Sequence, residues 1–254
     1  MFDPLDYPFL VLVVCFLIFW LSAMIGARLQ ARQRTGRELS QGHDDFVFIL
    51  GATLTLLGLI IGFSFSMAVS RYEQRKNYEE DEANAIGTEY VRADLLPASD
   101  GAKVRELLTA YLNERIRDYE TRDQRERVAI GARTARLQAE LWSTVTAPAL
   151  AQQTQVTALA VSGMNDVLNS QGYTQAAWWN RIPIGAWVLL ISISIFCNIL
   201  IGYAAHSRGP LLLILPIALS VSLFLISDID SPRRGIISVR PQNLESLAAS
   251  LHSN

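Results

Sequence analysis

Four stretches of the chain carry no Asp, Glu, Lys or Arg: residues 7–27, 46–70, 182–205 and 209–227. The shortest has 19 residues, and a helix needs roughly 20 apolar residues to cross about 30 Å of hydrocarbon. The pattern predicts four transmembrane helices, at about 8–27, 46–69, 182–205 and 209–227. Polar positions return between the second and third. Residues 71–95 follow the second span without a proline, so one long helix is expected to leave the membrane and end before Pro97. A second is expected from an N-cap at Ser99 or Asp100 to about Val128. Its Val104, Leu107, Leu108, Tyr111, Leu112, Ile116 and Tyr119 recur at helical spacing, so one face packs. Further helices fit 131–146 and 149–170, divided by Pro148 and stopped near Gly172. Pro216 is expected to kink the fourth span, while Pro183 suits the first turn of the third. The expected fold class is an all-α membrane protein: a transmembrane hairpin over 1–70, a helical extramembrane bundle over 71–181, a second hairpin over 182–228 and a tail over 229–254.

Composition agrees with this and narrows the function. Half of the 254 residues are hydrophobic and 18% are charged, below the quarter usual in soluble domains. The 22 basic and 24 acidic residues give a net charge of −2, so there is no basic field for nucleic acid. The first span follows Asp3 and Asp6 rather than a basic segment and lacks a convincing cleavage site, unlike a signal peptide. Charge does not decide sidedness. Arg28, Arg32, Arg34, Arg37 and Arg208 lie on the short-loop side, against Arg71, Arg75, Lys76, Arg181, Arg233, Arg234 and Arg240 on the other.

The second span is the richest in candidate chemistry. Gly51, Thr55, Gly58, Gly62, Ser66 and Ser70 form a stripe of small residues, and Leu56, Ile60, Phe63 and Met67 form an apolar ridge on another face. Small stripes let helices approach closely; the same stripe could line a pore, and the ridge could constrict one by dewetting. Gly51, Gly58 and Gly62 are thus helix-packing candidates. Asn198, flanked by Ser194 and Gly202, is another, as an interhelical hydrogen-bond partner. No ionisable group sits mid-span, which counts against proton-coupled transport. Cys15 and Cys197 read as packing residues. His43, His206 and His252 are too scattered for a metal site, no phosphate loop is present, and no enzyme chemistry or cofactor is expected. The run Glu79, Glu80, Asp81 and Glu82 reads as a solvated face. Asp228 and Asp230, followed by Arg233 and Arg234, mark a membrane boundary. They read first as ion-pair partners of those arginines or of Arg71 and Arg75, and only weakly as a divalent-cation site.

Ser70-Arg71-Tyr72-Glu73-Gln74-Arg75-Lys76, Asn84-Ala85-Ile86-Gly87-Thr88, Met164-Asn165-Asp166, Arg181-Ile182-Pro183 and Gly202-Tyr203 resemble the bacterial bestrophin-like domain family. So does Leu225-Ile226-Ser227-Asp228-Ile229-Asp230-Ser231-Pro232-Arg233-Arg234-Gly235. These segments span about residues 46–245. Through that family the chain distantly resembles bestrophins, pentameric four-span anion channels whose second spans ring the pore. The resemblance implies a homo-pentamer in a bacterial inner membrane, with bundle and both termini cytoplasmic and small inorganic anions as cargo. It implies an apolar neck of Ile60, Phe63 and Met67 with Arg71 and Arg75 at its mouth; Thr55 and Ser66 join the pathway as members of the small-residue stripe. Tyr72-Glu73 stand where bestrophins have paired tryptophans. The alternative function is a non-conducting membrane scaffold or sensor whose bundle recruits a partner.

Overall fold

The computed structural model describes residues 7–33, 43–205 and 209–252. Asp3, Asp6, Arg34, Arg37, His206 and Arg208 lie outside the described residues. Eight α-helices and two short 3-10 turns occur among the described residues: α1 (Pro8–Gln33), α2 (His43–Arg92), α3 (Ala98–Glu120), α4 (Gln124–Ala151), α5 (Gln155–Trp179), α6 (Ile184–Ala204), α7 (Ile214–Asp230) and α8 (Gln242–His252). No strand is present among them. Four helices are long and apolar enough to cross a membrane, and they include α1, α2, α6 and α7. The protein is an all-α membrane protein.

The chain divides into two units. One comprises Met1–Arg71 and Arg181–Ser238, the other Tyr72–Asn180 and Val239–Asn254. The 50-residue α2 belongs to both; at 1.5 Å per residue it is about 75 Å long.

In the first unit α1 packs against α6 and α7. Val11, Cys15, Phe19, Ala23 and Ala27 recur every four residues on α1 and are buried, the spacing of one helical face. Glycine brings α1 and α6 together. A Cβ on Gly202 would overlap the carbonyl oxygen of Ala23, and one on Gly26 would overlap that of Ile199. Such close approach gives dispersion contact between spans where no hydrophobic effect drives association. Asn198 is buried near this crossing, and its Nδ2 donates to Ser194 O at 2.7 Å, one turn back on its own helix. Gly202→Ala is expected to destabilise this unit by about 1–3 kcal/mol, read as a lower Tm in detergent. Gly185→Ala, where a Cβ meets nothing within 4 Å, is expected to leave Tm unchanged.

In the second unit a core of Ala83, Ile86, Val104, Leu107, Leu108, Tyr111, Leu112, Leu141, Val145, Ala160, Met164, Val167 and Leu244 joins α2, α3, α4, α5 and α8. The α3 face read from spacing is the buried one, with Ile116 and Tyr119 packed against the core.

Several boundaries differ from expectation, each for a local reason. The N-cap of α3 is Pro97, whose carbonyl accepts from Gly101 N at 2.8 Å, rather than Ser99 or Asp100. The helix stops at Glu120, because Asp123 accepts from Arg125 N at 2.9 Å and starts α4. Pro148 lies inside α4 rather than dividing two helices. It falls in the last turn, where the missing N–H removes one helical bond and the helix ends three residues on. The break comes at Thr154 instead, which with Thr157 forms a reciprocal capping box for α5. Gly172 is inside α5. Pro216 does not kink a span. The chain enters through a 3-10 turn, Pro210–Leu213, and Pro216 sits in the first turn of α7. The tail contains a helix, α8.

Candidate functional site

The site follows α2, the span whose side chains the chain covers least. Within its most apolar window only 6% is buried, against 33% for the first candidate span and 39% for the fourth. What is buried forms one stripe: Leu57, Ser64 and Ala68. At 100° per residue the small stripe lies roughly 150° around the helix from it, and the ridge roughly 90°. Gly51, Thr55, Gly58, Gly62, Ser66 and Ser70 are all exposed. A Cβ added to Gly51, Gly58 or Gly62 would meet nothing within 4 Å, so among the described residues these glycines pack against no other helix. Thr55 donates its hydroxyl back to Gly51 O at 2.9 Å, so its oxygen keeps both lone pairs for accepting. On the ridge, Phe63 is 67% exposed, Leu56 and Met67 are exposed, and Ile60 is half-buried.

At the end of the span the two candidate arginines part company. Arg71 Nη1 lies 3.6 Å from Asp230 Oδ1, and its Nη2 lies 3.7 Å from Met67 Sδ, folding the guanidinium back along the ridge. Arg75 is 1% exposed and lies in the second unit, so it is packed within protein instead of opening onto a mouth.

Asp230 and Asp228 are buried and their oxygens are occupied. Asp230 accepts from Ile182 N at 3.2 and 3.1 Å, tying the approach to α6 to the exit of α7. Asp228 accepts from Ile236 N at 2.7 Å and Ile237 N at 2.8 Å, holding the chain that returns after Gly235. Each carboxylate thus spends acceptor capacity on backbone donors of its own unit. Asp230 also faces the Arg71 guanidinium at 3.6 Å, whereas Asp228 is held by backbone N–H groups. Among the described residues no three His, Cys, Asp or Glu side chains are grouped to hold a metal.

In the second unit α2 carries chemistry that the sequence reading assigned to solvent. Glu80 and Asp81 are exposed, but Glu79 and Glu82 are buried. Glu79 caps α8, accepting from Asn243 N at 2.9 Å, Leu244 N at 3.0 Å and Asn243 Nδ2 at 2.6 Å. Glu82 binds Arg115, its Oε1 taking Nε–H and its Oε2 lying 3.4 Å from Nη2, and it accepts from Thr174 Oγ1 at 3.1 Å. Arg115 also reaches Asp118 at 3.3 Å. Burial alone would weaken the charge on Arg115, but Glu82 and Asp118 beside it more than offset that and raise its pKa. Burial, with Glu82 nearby, raises the Tyr111 and Tyr119 hydroxyls.

Glu89 is buried with both oxygens unpartnered. Burial pushes its pKa up to about 8, with Arg92 opposing and Asp166 reinforcing. Arg75, Glu79, Glu82, Ile86 and Glu89 succeed one another at intervals of three or four. That spacing was the available signal that they share a buried face.

The sequence matches the family model of the bestrophin-like domain over residues 10–244. No curated protein matches it. In fold it is similar to crystal structures of a bacterial bestrophin homologue from Klebsiella pneumoniae. One single-substitution variant matches with a TM-score of 0.67 at 14% identity, covering 95% of this chain and 98% of that one. A second variant gives 0.64 at 14%, covering 94% and 99%. A further structure of that homologue gives 0.65 at 15%, covering 93% and 98%.

Proposed function

The chain belongs to the bestrophin-like domain family, and from that premise we propose that it is a homo-oligomeric ion channel whose pathway is lined by the bare side of α2. The observation that carries this is the coverage of that span, 6% buried, with small and hydroxylated residues turned away from the chain. Glycines facing lipid give a helix little; facing another helix or a water-filled path they permit close approach. A second copy of the chain supplies that helix, and a ring of copies, five by family resemblance, supplies the path. The inner membrane of a bacterium, with the second unit cytoplasmic, is the setting this reading implies.

The mechanism is passive. With no ionisable group in the apolar part of α2, ions cross a dewetted constriction set by Ile60, Phe63 and Met67 and flanked by Thr55 and Ser66. Small inorganic anions are preferred because Arg71 stands where the span ends and raises their local concentration. Asp230 moderates that field. Arg75 contributes to it from within the protein, without meeting the ion.

The test is chloride against potassium flux in liposomes. Phe63→Ala and Ile60→Ala are each expected to raise chloride flux severalfold, and unchanged flux in both removes the neck. Arg71→Glu is expected to lower chloride flux relative to potassium.

One observation favours a second reading, the non-conducting scaffold. A cavity of about 730 Å³ opens between the end of α4 and the start of α5, lined by Trp142, Leu150 and Val161 among others, within the size range of ligand and partner sites. A folded, oligomeric protein that passes neither ion selects this reading.

A further inference from the structure

The boundary at the end of α7 is built more elaborately than a channel's rim requires. The chain leaves the span at Asp230, turns at Gly235 and comes back. A Cβ on Gly235 would overlap the Asp228 carbonyl, so only glycine allows the return leg this close. Asp228, buried, then grips the backbone N–H of both Ile236 and Ile237. The two isoleucines are thereby held level with the last turn of the span, and their side chains are exposed, Ile236 by 68%. Water disfavours such a pair by the area it exposes; acyl chains at that depth do not.

Beside them Arg234 is exposed, and its guanidinium lies over the ring of Tyr7, 4.6 Å from the centroid, at the start of α1. Among the described residues Arg234 has no carboxylate partner. The two nearby carboxylates are spent, Asp228 on backbone amides and Asp230 on Ile182 and Arg71. The open charge at this edge is therefore cationic. A guanidinium pinned on a tyrosine is oriented in advance for an acceptor such as a phosphate. Apolar ledge, aromatic ring and arginine together offer what an acyl chain, the interface and a headgroup each require.

We propose that Tyr7, Arg234, Ile236 and Ile237 form a binding site for an anionic phospholipid, the phosphate on Arg234 and an acyl chain over the isoleucines. The site is independent of what, if anything, the protein conducts.

The test uses the full chain in detergent, titrated with phosphatidylglycerol, with phosphatidylcholine, or with inorganic phosphate, and followed by thermal unfolding. Phosphatidylglycerol is expected to raise Tm above phosphatidylcholine, while inorganic phosphate at equal concentration does not. Arg234→Gln is expected to weaken phosphatidylglycerol binding about fivefold, as for one basic residue at an anionic surface, with Tm in phosphatidylcholine unchanged. Ile236→Ser is expected to weaken binding of both lipids. Arg136→Gln, an exposed arginine of the second unit, serves as control and keeps the wild-type response. An undiminished phosphatidylglycerol response in Arg234→Gln overturns the proposal. So does an equal response to inorganic phosphate, or an equal loss in Arg136→Gln.

Discussion

Arg115→Met is expected to destabilise the second unit by roughly 3–5 kcal/mol, the cost of leaving a buried carboxylate without its cation. Methionine nearly matches the arginine stem, so the loss is electrostatic more than volumetric. Glu82 would keep only the Thr174 hydroxyl, in a place where no water reaches it. The measurement is unfolding of the full-length protein in detergent, followed by proteolysis of the segment between α2 and α6. Adding Glu82→Gln to Arg115→Met should recover much of the loss, because the unpaired charge is then gone. A double-mutant cycle with a coupling energy below about 1 kcal/mol would show that the pair is incidental. Asp118 matters less, since it touches Arg115 at 3.3 Å and is less deeply buried.

Glu89→Gln is expected to act in the opposite direction and stabilise the same unit at neutral pH. Glu89 lies seven residues beyond Glu82, on the same face of α2. Among the described residues no arginine lies within hydrogen-bonding distance of it, and burial pushes its pKa from 4.5 up to about 8. Between those values the folded state holds a proton that the unfolded chain has released, so stability falls as pH rises from about 4.5 to about 8 and then levels. By pH 7 most of that loss has accumulated. Glutamine is neutral at every pH and removes that slope. Wild type and variant should therefore unfold at similar temperatures near pH 5 and diverge toward pH 8, the variant higher. Parallel curves would mean that Glu89 is charged in the fold and has found a counterion. The neighbour to examine then is Arg92, whose guanidinium lies with the Glu89 carboxylate against Gly163.

These two glutamates also show where sequence reading stops. The spans were legible because a charge in hydrocarbon is costly, so its absence over 19 or more residues has few explanations. The α3 face was legible because seven apolar positions keep one period. Glu79 and Glu82 were not, because a carboxylate at a buried position looks the same in sequence as one facing water. Its partners, Arg115 on α3 and the α8 N-terminus, are 33 and 164 residues away. Gly26 was passed over for a related reason. Its neighbour is Ile199, and nothing local marks that crossing, whereas the regularly spaced glycines of α2 meet nothing within 4 Å among the described residues. Pro148 and Pro216 misled in the other direction. Proline disrupts a helix interior, but both stand within a turn of a helix end, a distinction of a few residues. The site residues of α2 were named by stripe and by resemblance. In this chain Thr55, Phe63, Ser66 and Met67 are exposed, Ile60 is half-buried and Arg75 is buried.

The second unit is not contiguous in the chain. Its core takes Leu244 from α8, and Glu79 is satisfied only when Asn243 and Leu244 arrive. Synthesis runs in one direction, so residues 72–180 leave the ribosome long before the helix that closes their core. Two further spans, α6 and α7, must enter the bilayer in between. Until then the core lacks Leu244, and Glu79 lacks the donors of Asn243 and Leu244. Completion of this core therefore has to follow synthesis of the last two spans. A chain cut before α8 is therefore expected to leave residues 72–180 open to proteases that the full chain resists, because Glu79 and the core around Leu244 stay incomplete.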